Sequence, residues 1–335
     1  MKNKLPFLSL FFACLTASTV SSANNVYGEH LEGFKYPYPL QYFNFSSQQQ
    51  NLKMGYMDVQ PQKPNGQTVV VLHGKNFCGA TWEETISFLT QNGYRVIAPD
   101  QIGFCTSSKP DHYQYSFQQL AENTHALLDK LGVKQPILLA HSTGGMLATR
   151  YALMYPKETK LLGMVNPIGL EDWKAKGVPY RSIDQWYQRE LKVSAESIKA
   201  YELKTYYQGQ WKPEYDKWVD MLAGLNAGKG HEKVAWNSAL IYDMIFTQPV
   251  YYEFSHLKVP TVLYIGTGDT TAIGSDIAPP EVKQKIGQYN VLGKEAAKLI
   301  PNAELIEFAG MGHSPQMQNP KLFHEALIKT LKKYD

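Results

Sequence analysis

The ten residues Ile137 to Met146, ILLAHSTGGM, constrain the fold of this chain more than any other stretch. Ile137-Leu138-Leu139 is an apolar run of the kind that fills a buried strand, and Met146 to Tyr155 carries a helix-like pattern. Joining a strand directly to a helix around Ser142 requires a tight turn. The positions two residues either side of the serine must then be small, and they are Ala140 and Gly144. Such a turn lifts the hydroxyl out of the sheet and aims a helix N-terminus at it, where the helix dipole stabilises developing negative charge. This is how a nucleophile elbow reads. A glycine-rich turn can also be only a turn, so its meaning depends on a base, an acid and an oxyanion loop elsewhere.

Candidates for the base and acid lie downstream. Ala309-Gly310-Met311-Gly312-His313-Ser314-Pro315 follows a strand-like run, Ala303 to Phe308, and its glycines let the loop carry His313 back over the elbow. Between the two lies Thr261-Val262-Leu263-Tyr264-Ile265-Gly266-Thr267-Gly268-Asp269, a β-branched buried-strand run that ends in a tight turn and a carboxylate. Asp269 is the expected acid because Gly266 and Gly268 allow a rigid turn straight off that strand. Glu171, Asp172 and Asp276 compete for the role. The chain order Ser, Asp, His differs from the orders of chymotrypsin and subtilisin.

From Thr68 onward, strands and helices alternate. A strand runs to His73, a helix from about Trp82 to Gln91, a strand from Arg95 to Ala98, and a helix from about Phe117 to Leu131. The elbow's own strand and helix follow, then a strand over Leu161 to Val165. This alternation predicts an α/β fold, a mainly parallel twisted sheet flanked by helices, with two early strands at Leu40 to Phe45 and Leu52 to Val59. Ligands of such sheets bind beyond the carboxyl ends of the strands, where Ser142, Asp269, His73 and His313 all fall. The chain has 335 residues, 44% hydrophobic and 19% charged, enough to bury a large core. Alternation stops between Asn166 and Pro260. Residues 169–256 are expected to form an inserted helical lid over a core of residues 24–168 and 257–335. Five of the six tryptophans lie in that insertion, and most should simply pack it. Trp186 and Tyr207 are candidates for lining a substrate pocket. Glycines at 224, 228 and 230 predict a break between lid helices and make it a candidate hinge. Ile273 to Leu292 reads as a second insertion, a surface loop with a short helix.

With these motifs in order, the chain resembles the α/β-hydrolase superfamily from about Leu40 to the C-terminus. Val69-Val70-Val71-Leu72-His73-Gly74 resembles the family's strand and His-Gly oxyanion loop, with Trp82 in a fitting position. The resemblance implies that the backbone N–H groups of Lys75 and Thr143 form the oxyanion hole, with Ser142, Asp269 and His313 catalytic. It also makes His73, Phe77 and His141 candidate pocket residues. Ala98 to Pro110 resembles the loop after the next strand in the lid-bearing subgroup, but Cys105 stands where glycine is expected. Epoxide hydrolases and haloalkane dehalogenases of that subgroup carry an aspartate nucleophile, and Ser142 argues against both activities. The family's strand order makes the loops carrying Cys78 and Cys105 neighbours, within disulfide reach. A bonded pair and two small buried thiols both remain open. The implied activity is hydrolysis of a carboxylic ester of a small or medium, rather apolar substrate, with no cofactor and no metal. Carbon–carbon bond hydrolysis, aminopeptidase activity and a non-catalytic binding role are the alternatives.

The N-terminus reads as a signal peptide over residues 1–23. Lys2 and Lys4 are its basic start, Leu5 to Leu15 is too short to span a bilayer, and Ser21-Ser22-Ala23 suits cleavage near Ala23. The expected location is therefore periplasmic or secreted. Cys14, after Phe11-Phe12-Ala13, matches a lipidation site poorly. Cleavage removes two lysines and takes the formal charge from +3 to +1. A near-neutral chain with no basic run argues against nucleic acid and stable membrane association, and leaves a small-molecule partner. Cys78 and Cys105, without a CxxC or a histidine cluster, do not make a zinc site.

Overall fold

The computed structural model describes residues 25–334. The proposed signal peptide lies outside them. Eight strands form one sheet: β1 (Leu40–Ser47), β2 (Gln50–Val59), β3 (Thr68–Leu72), β4 (Arg95–Pro99), β5 (Ile137–His141), β6 (Leu161–Val165), β7 (Thr261–Gly266) and β8 (Ala303–Phe308). Their order is β1-β2-β4-β3-β5-β6-β7-β8, with β3 to β8 parallel and the first two strands antiparallel. β1 and β2 join through Gln48-Gln49, both at positive φ (50° and 60°), the conformation that a two-residue hairpin of this twist requires. Gln48 is held there by a reciprocal pair: its side-chain amide donates to the Gln114 carbonyl (2.9 Å) and its Oε1 accepts from the Gln114 N–H (2.9 Å).

The central strands are buried on both faces, so their side chains alternate between two cores. Val70, Leu72, Leu138, Ala140 and Met164 belong to one, and Val69, Val71, Leu139 and Val165 to the other. The first core is covered by α2 (Phe117–Lys130), α3 (Thr143–Met154) and α9 (Tyr289–Leu299), and the second by α1 (Glu83–Gln91) and α11 (Pro320–Lys333). Two single-turn helices, α8 (Pro280–Lys283) and α10 (Pro315–Gln318), precede α9 and α11. The chain leaves β3 toward β4 on one side and returns to β5 on the other, so the loops after β3 and β5 diverge. The crevice they leave is where such sheets place ligands.

Four helices form the insertion between β6 and β7: α4 (Ile183–Glu190), α5 (Ala195–Thr205), α6 (Asp216–Ala227) and α7 (His231–Thr247). Ser182 and Gln185 make a capping box on α4, and Ser194 and Ser197 one on α5. The break between α6 and α7 falls at 228–230, but it is not an open hinge. Residues 25–36 cross the lid as a strap, with the Tyr27 N–H donating to the Gly224 carbonyl at 3.0 Å. A side-chain carbon at Gly228 would lie 2.0 Å from the Tyr27 carbonyl oxygen, and one at Gly224 2.5 Å from that of Asn25. These glycines make room for the strap. Its other end is tied to the core, where the Tyr36 hydroxyl donates to Asp100 (2.5 Å).

Candidate active site

β5 ends at His141 and α3 begins at Thr143, leaving Ser142 between them at φ 57°, ψ −121°. A serine rarely adopts this conformation, and surrounding contacts must hold it there. The Ser142 N–H donates to the Val165 carbonyl (3.1 Å). A side chain at Gly144 would meet the Leu72 carbonyl oxygen at 2.5 Å, which is why that position is glycine. Ala140, fully buried, fits with its single methyl.

The structure brings Ser142, His313 and Asp269 together. Ser142 Oγ is 2.8 Å from His313 Nε2, and His313 Nδ1 is 2.6 Å from Asp269 Oδ2. All three are buried. The Asp269 carboxylate is held from every side: Oδ2 also accepts from Asn166 Nδ2 (2.9 Å), and Oδ1 accepts from the Thr271 N–H (2.8 Å) and hydroxyl (2.7 Å). The competing acids are engaged elsewhere. Glu171 binds Lys176, the Trp173 indole and the Gly287 N–H; Asp172 accepts from the Tyr252 hydroxyl; Asp276 binds Arg181.

The His313 backbone is fixed from two directions. Its N–H donates to the carbonyl of Thr205, the last residue of α5 (3.0 Å), and its carbonyl accepts from His141 Nε2 (2.8 Å). Burial, reinforced by His313 alongside, pushes the His141 imidazole well below its usual range and keeps it a neutral donor. His73 is also neutral because burial lowers it. Its Nδ1 donates to the Gly74 carbonyl (2.9 Å) and its Nε2 accepts from the Gln101 N–H (3.1 Å). Both histidines thus brace loops and do not line the cavity.

The loop after β3 passes directly over the serine: a side-chain carbon at Gly74 would lie 2.9 Å from Ser142 Cβ. Lys75 follows at once, and Thr143 is the first residue of α3, where an N–H has no partner within the helix. The Lys75 side chain reaches the lid, with Nζ 2.9 Å from Glu190 Oε2 and 3.8 Å above the Tyr242 ring. Glu190 also accepts from the Ser238 hydroxyl (2.6 Å) and Arg189 (2.8 Å). Burial pushes the Glu190 carboxyl up, but Lys75, Arg189 and the Ser238 hydroxyl outweigh it and hold it below the usual carboxylate range.

Cys78, on the same loop, is disulfide-bonded to Cys105 with a Cα–Cα distance of 6.0 Å. Cys105 sits at φ 42°, which accounts for the glycine expected there; the crosslink ties the strained residue to the loop after β3. Among the described residues, Cys78, Asp100 and Cys105 are the one close grouping of metal-ligand types. The two sulfurs are spent on each other, and Asp100 is taken by Tyr36, the Gly79 N–H and Thr106. Among the described residues no helix is long and apolar enough to cross a membrane.

A cavity of about 1220 Å³ lies between the lid and the strand ends. Phe77 and Lys75 line it from the core and Trp186, Tyr201 and Tyr242 from the lid. Ile273, Gly274 and Ser275 line it too, so the second insertion, expected as a surface loop with contact at the substrate entrance as the alternative, forms part of the wall. Tyr207, a candidate pocket residue, is not in that wall. It sits beyond the end of α5 and stacks on Tyr215 with centroids 3.7 Å apart. Its neighbour Tyr206 packs against the His313 ring (4.8 Å) and accepts from Asn76 (3.0 Å). Sequence reasoning also missed Asn166 and Thr271, and it considered Glu190 only as a lid carboxylate for a substrate amine, not as the partner of Lys75. Asn166 had one usable signal, an asparagine straight after a strand, where its side chain tolerates positive φ; it adopts 36°.

With this geometry in place, the chain belongs to the alpha/beta hydrolase fold family, whose sequence pattern matches residues 67–320. Among solved structures, a probable hydrolytic enzyme of Pseudomonas aeruginosa is 61% identical, with a TM-score of 0.91 over 91% of this chain and 98% of that one. A thermophilic esterase of Thermogutta terrifontis is 19% identical with a TM-score of 0.67 over 88% of this chain and 99% of that one, a likeness of fold alone. Lipase 1 of Psychrobacter immobilis is 28% identical across 76% of this chain and 73% of the lipase. A cis-3-alkyl-4-alkyloxetan-2-one decarboxylase of Xanthomonas campestris is 34% identical across 39% of this chain. The match spans 45% of that curated relative's length.

Proposed function

We propose that this chain is a serine hydrolase that cleaves carboxylic esters of small or medium, largely apolar substrates through an acyl-enzyme. The observation that carries the reading is the unbroken relay from Ser142 Oγ through His313 to Asp269, mounted on a serine at φ 57°. His313 Nε2 takes the proton of Ser142 Oγ as that oxygen bonds to the ester carbonyl carbon. The Lys75 and Thr143 N–H groups hold the resulting oxyanion, and loss of one such donor typically costs about 3 kcal/mol of barrier. Asp269 stabilises the imidazolium. The bond to the alcohol then breaks and His313 Nε2 returns the proton to that oxygen. Water repeats the attack on the acyl-serine and releases the acid.

The similarity to a lipase supports this class. An aminopeptidase would need a lid carboxylate for the substrate amine. Glu190 is committed to Lys75 and Arg189, and Glu202 does not line the cavity. Export is part of the proposal: the Cys78–Cys105 bond suits an oxidising compartment. A panel of esters of graded acyl length tests the activity. The proposal expects saturable hydrolysis that disappears in Ser142→Ala while the circular dichroism spectrum is unchanged. Ester hydrolysis persisting at the wild-type rate in Ser142→Ala overturns it.

A further inference from the structure

The lid side of the cavity carries more positive charge than its own carboxylates neutralise. Trp186 on α4 and Tyr242 on α7 stack face to face, 4.3 Å apart and 8° from parallel. Three cations lie over these rings: Arg181 4.4 Å above Trp186, Lys75 above Tyr242, and Arg189 within 5.5 Å of both. All five side chains line the cavity. Two carboxylates serve the three cations. Glu190 takes Lys75 and Arg189, and Asp276 takes Arg181 at 2.7 Å with Arg189 4.0 Å away. One positive charge is left over. Lys192, Lys204 and Lys283 also line the cavity, and none of them forms an ion pair among the described residues.

The same wall holds unused donors. Arg181 is nine-tenths buried, and its Nη1 is shielded from solvent with no hydrogen-bond partner. Trp186 Nε1 is likewise buried and unpartnered. A buried donor left unmet costs free energy, which an acceptor brought within reach of it would recover. A guanidinium fork matches a carboxylate, and the unpaired positive charge of this wall favours an anionic group. We infer that this wall is a carboxylate subsite, and that the preferred substrates are esters carrying a carboxylate away from the scissile bond. The inference rests on the hydrolase reading above and narrows its substrate class. Asp276 holds one edge of Arg181 and competes with the substrate for it.

Aryl half-esters of linear dicarboxylic acids, and alkanoate esters of hydroxy acids, place the carboxylate on the acyl or the alcohol side at graded distances. Each is compared with its methyl-capped, uncharged counterpart. The subsite predicts a higher kcat/KM for the charged member at some chain length. Arg181→Gln should lower the charged-to-neutral ratio about tenfold, the worth of one hydrogen bond to a charged group. Asp276→Asn should raise that ratio, an opposite change that general damage to the fold would not produce. Neutral esters preferred at every length, or a ratio unmoved by Arg181→Gln, overturns the subsite and leaves the serine hydrolase standing. A stronger response to phosphate-capped esters overturns the carboxylate assignment. If neither series is turned over, the hydrolase reading fails, and calorimetry with the free dicarboxylates decides the subsite. Binding that Arg181→Gln abolishes supports it, and no binding overturns it.

Discussion

Glu202 lies on α5 three residues before Thr205, whose carbonyl holds the His313 N–H. Its side chain is fully buried and neither carboxyl oxygen has a hydrogen-bond partner. Burial alone pushes the carboxyl up to about 8 from an ordinary 4.5. The folded protein therefore keeps a proton that the unfolded chain loses above pH 4.5. The contribution to stability is whole below that pH, falls as pH rises, and is lost once pH passes about 8. An interval of about 3.5 pH units at about 1.36 kcal/mol each bounds the loss at about 5 kcal/mol. Glu202→Gln keeps the shape and cannot ionise. Urea unfolding of both proteins from about pH 5 to 9 isolates the effect, because every other titrating group cancels in the difference. The variant should gain on the wild type steadily up to about pH 8 and run parallel above about pH 9. Parallel curves across the whole range would rule this out, since they would mean that Glu202 ionises in the fold as it does in water.

Asp269→Asn should preserve the fold but remove the charge that orients and stabilises His313, with a loss of up to ~10⁴ in kcat, the size of the same change in the chymotrypsin-type triad; steady-state kinetics on any ester that is turned over checks it, and Glu171→Gln should leave kcat nearly unchanged. Gly228→Ala drives a methyl into the Tyr27 carbonyl. The overpacking should cost about 1–3 kcal/mol and expose residues 25–31 to limited proteolysis before the rest of the chain is cut. Reducing the Cys78–Cys105 bond reopens a 27-residue loop and should lower stability by about 3.5 kcal/mol by loop entropy. Non-reduced peptide mapping of exported protein should recover the two cysteines in one crosslinked species.

What was legible in the sequence is what local pattern encodes. β3, β5, β6 and β7 are short apolar runs, and each strand lies where those runs fall. Ser142, Asp269 and His313 sit at or beyond strand ends, so position along the chain made them candidates, although Glu171 and Asp172 follow β6 in the same way. Contacts between distant segments were not legible. Lys75 and Glu190 meet across 115 residues, and the identity of neither one announces the other. Tyr207 is the pocket candidate on paper, and nothing in the sequence marks its neighbour Tyr206 instead. The turn that ends α5 sends Tyr206 to His313 and Tyr207 to Tyr215. Gly224 and Gly228 read as flexibility because their purpose, clearance for the strap at Asn25 and Tyr27, lies far upstream.

Everything proposed for the site depends on Ser142 being the nucleophile that His313 activates. Incubation of the protein with a fluorophosphonate, followed by peptide mass spectrometry, tests this most directly. One adduct is expected, on Ser142, formed in step with loss of ester hydrolysis and greatly slowed in His313→Ala. An unlabelled Ser142 in protein that still hydrolyses esters, or an adduct on another residue that accounts for the lost activity, would contradict it.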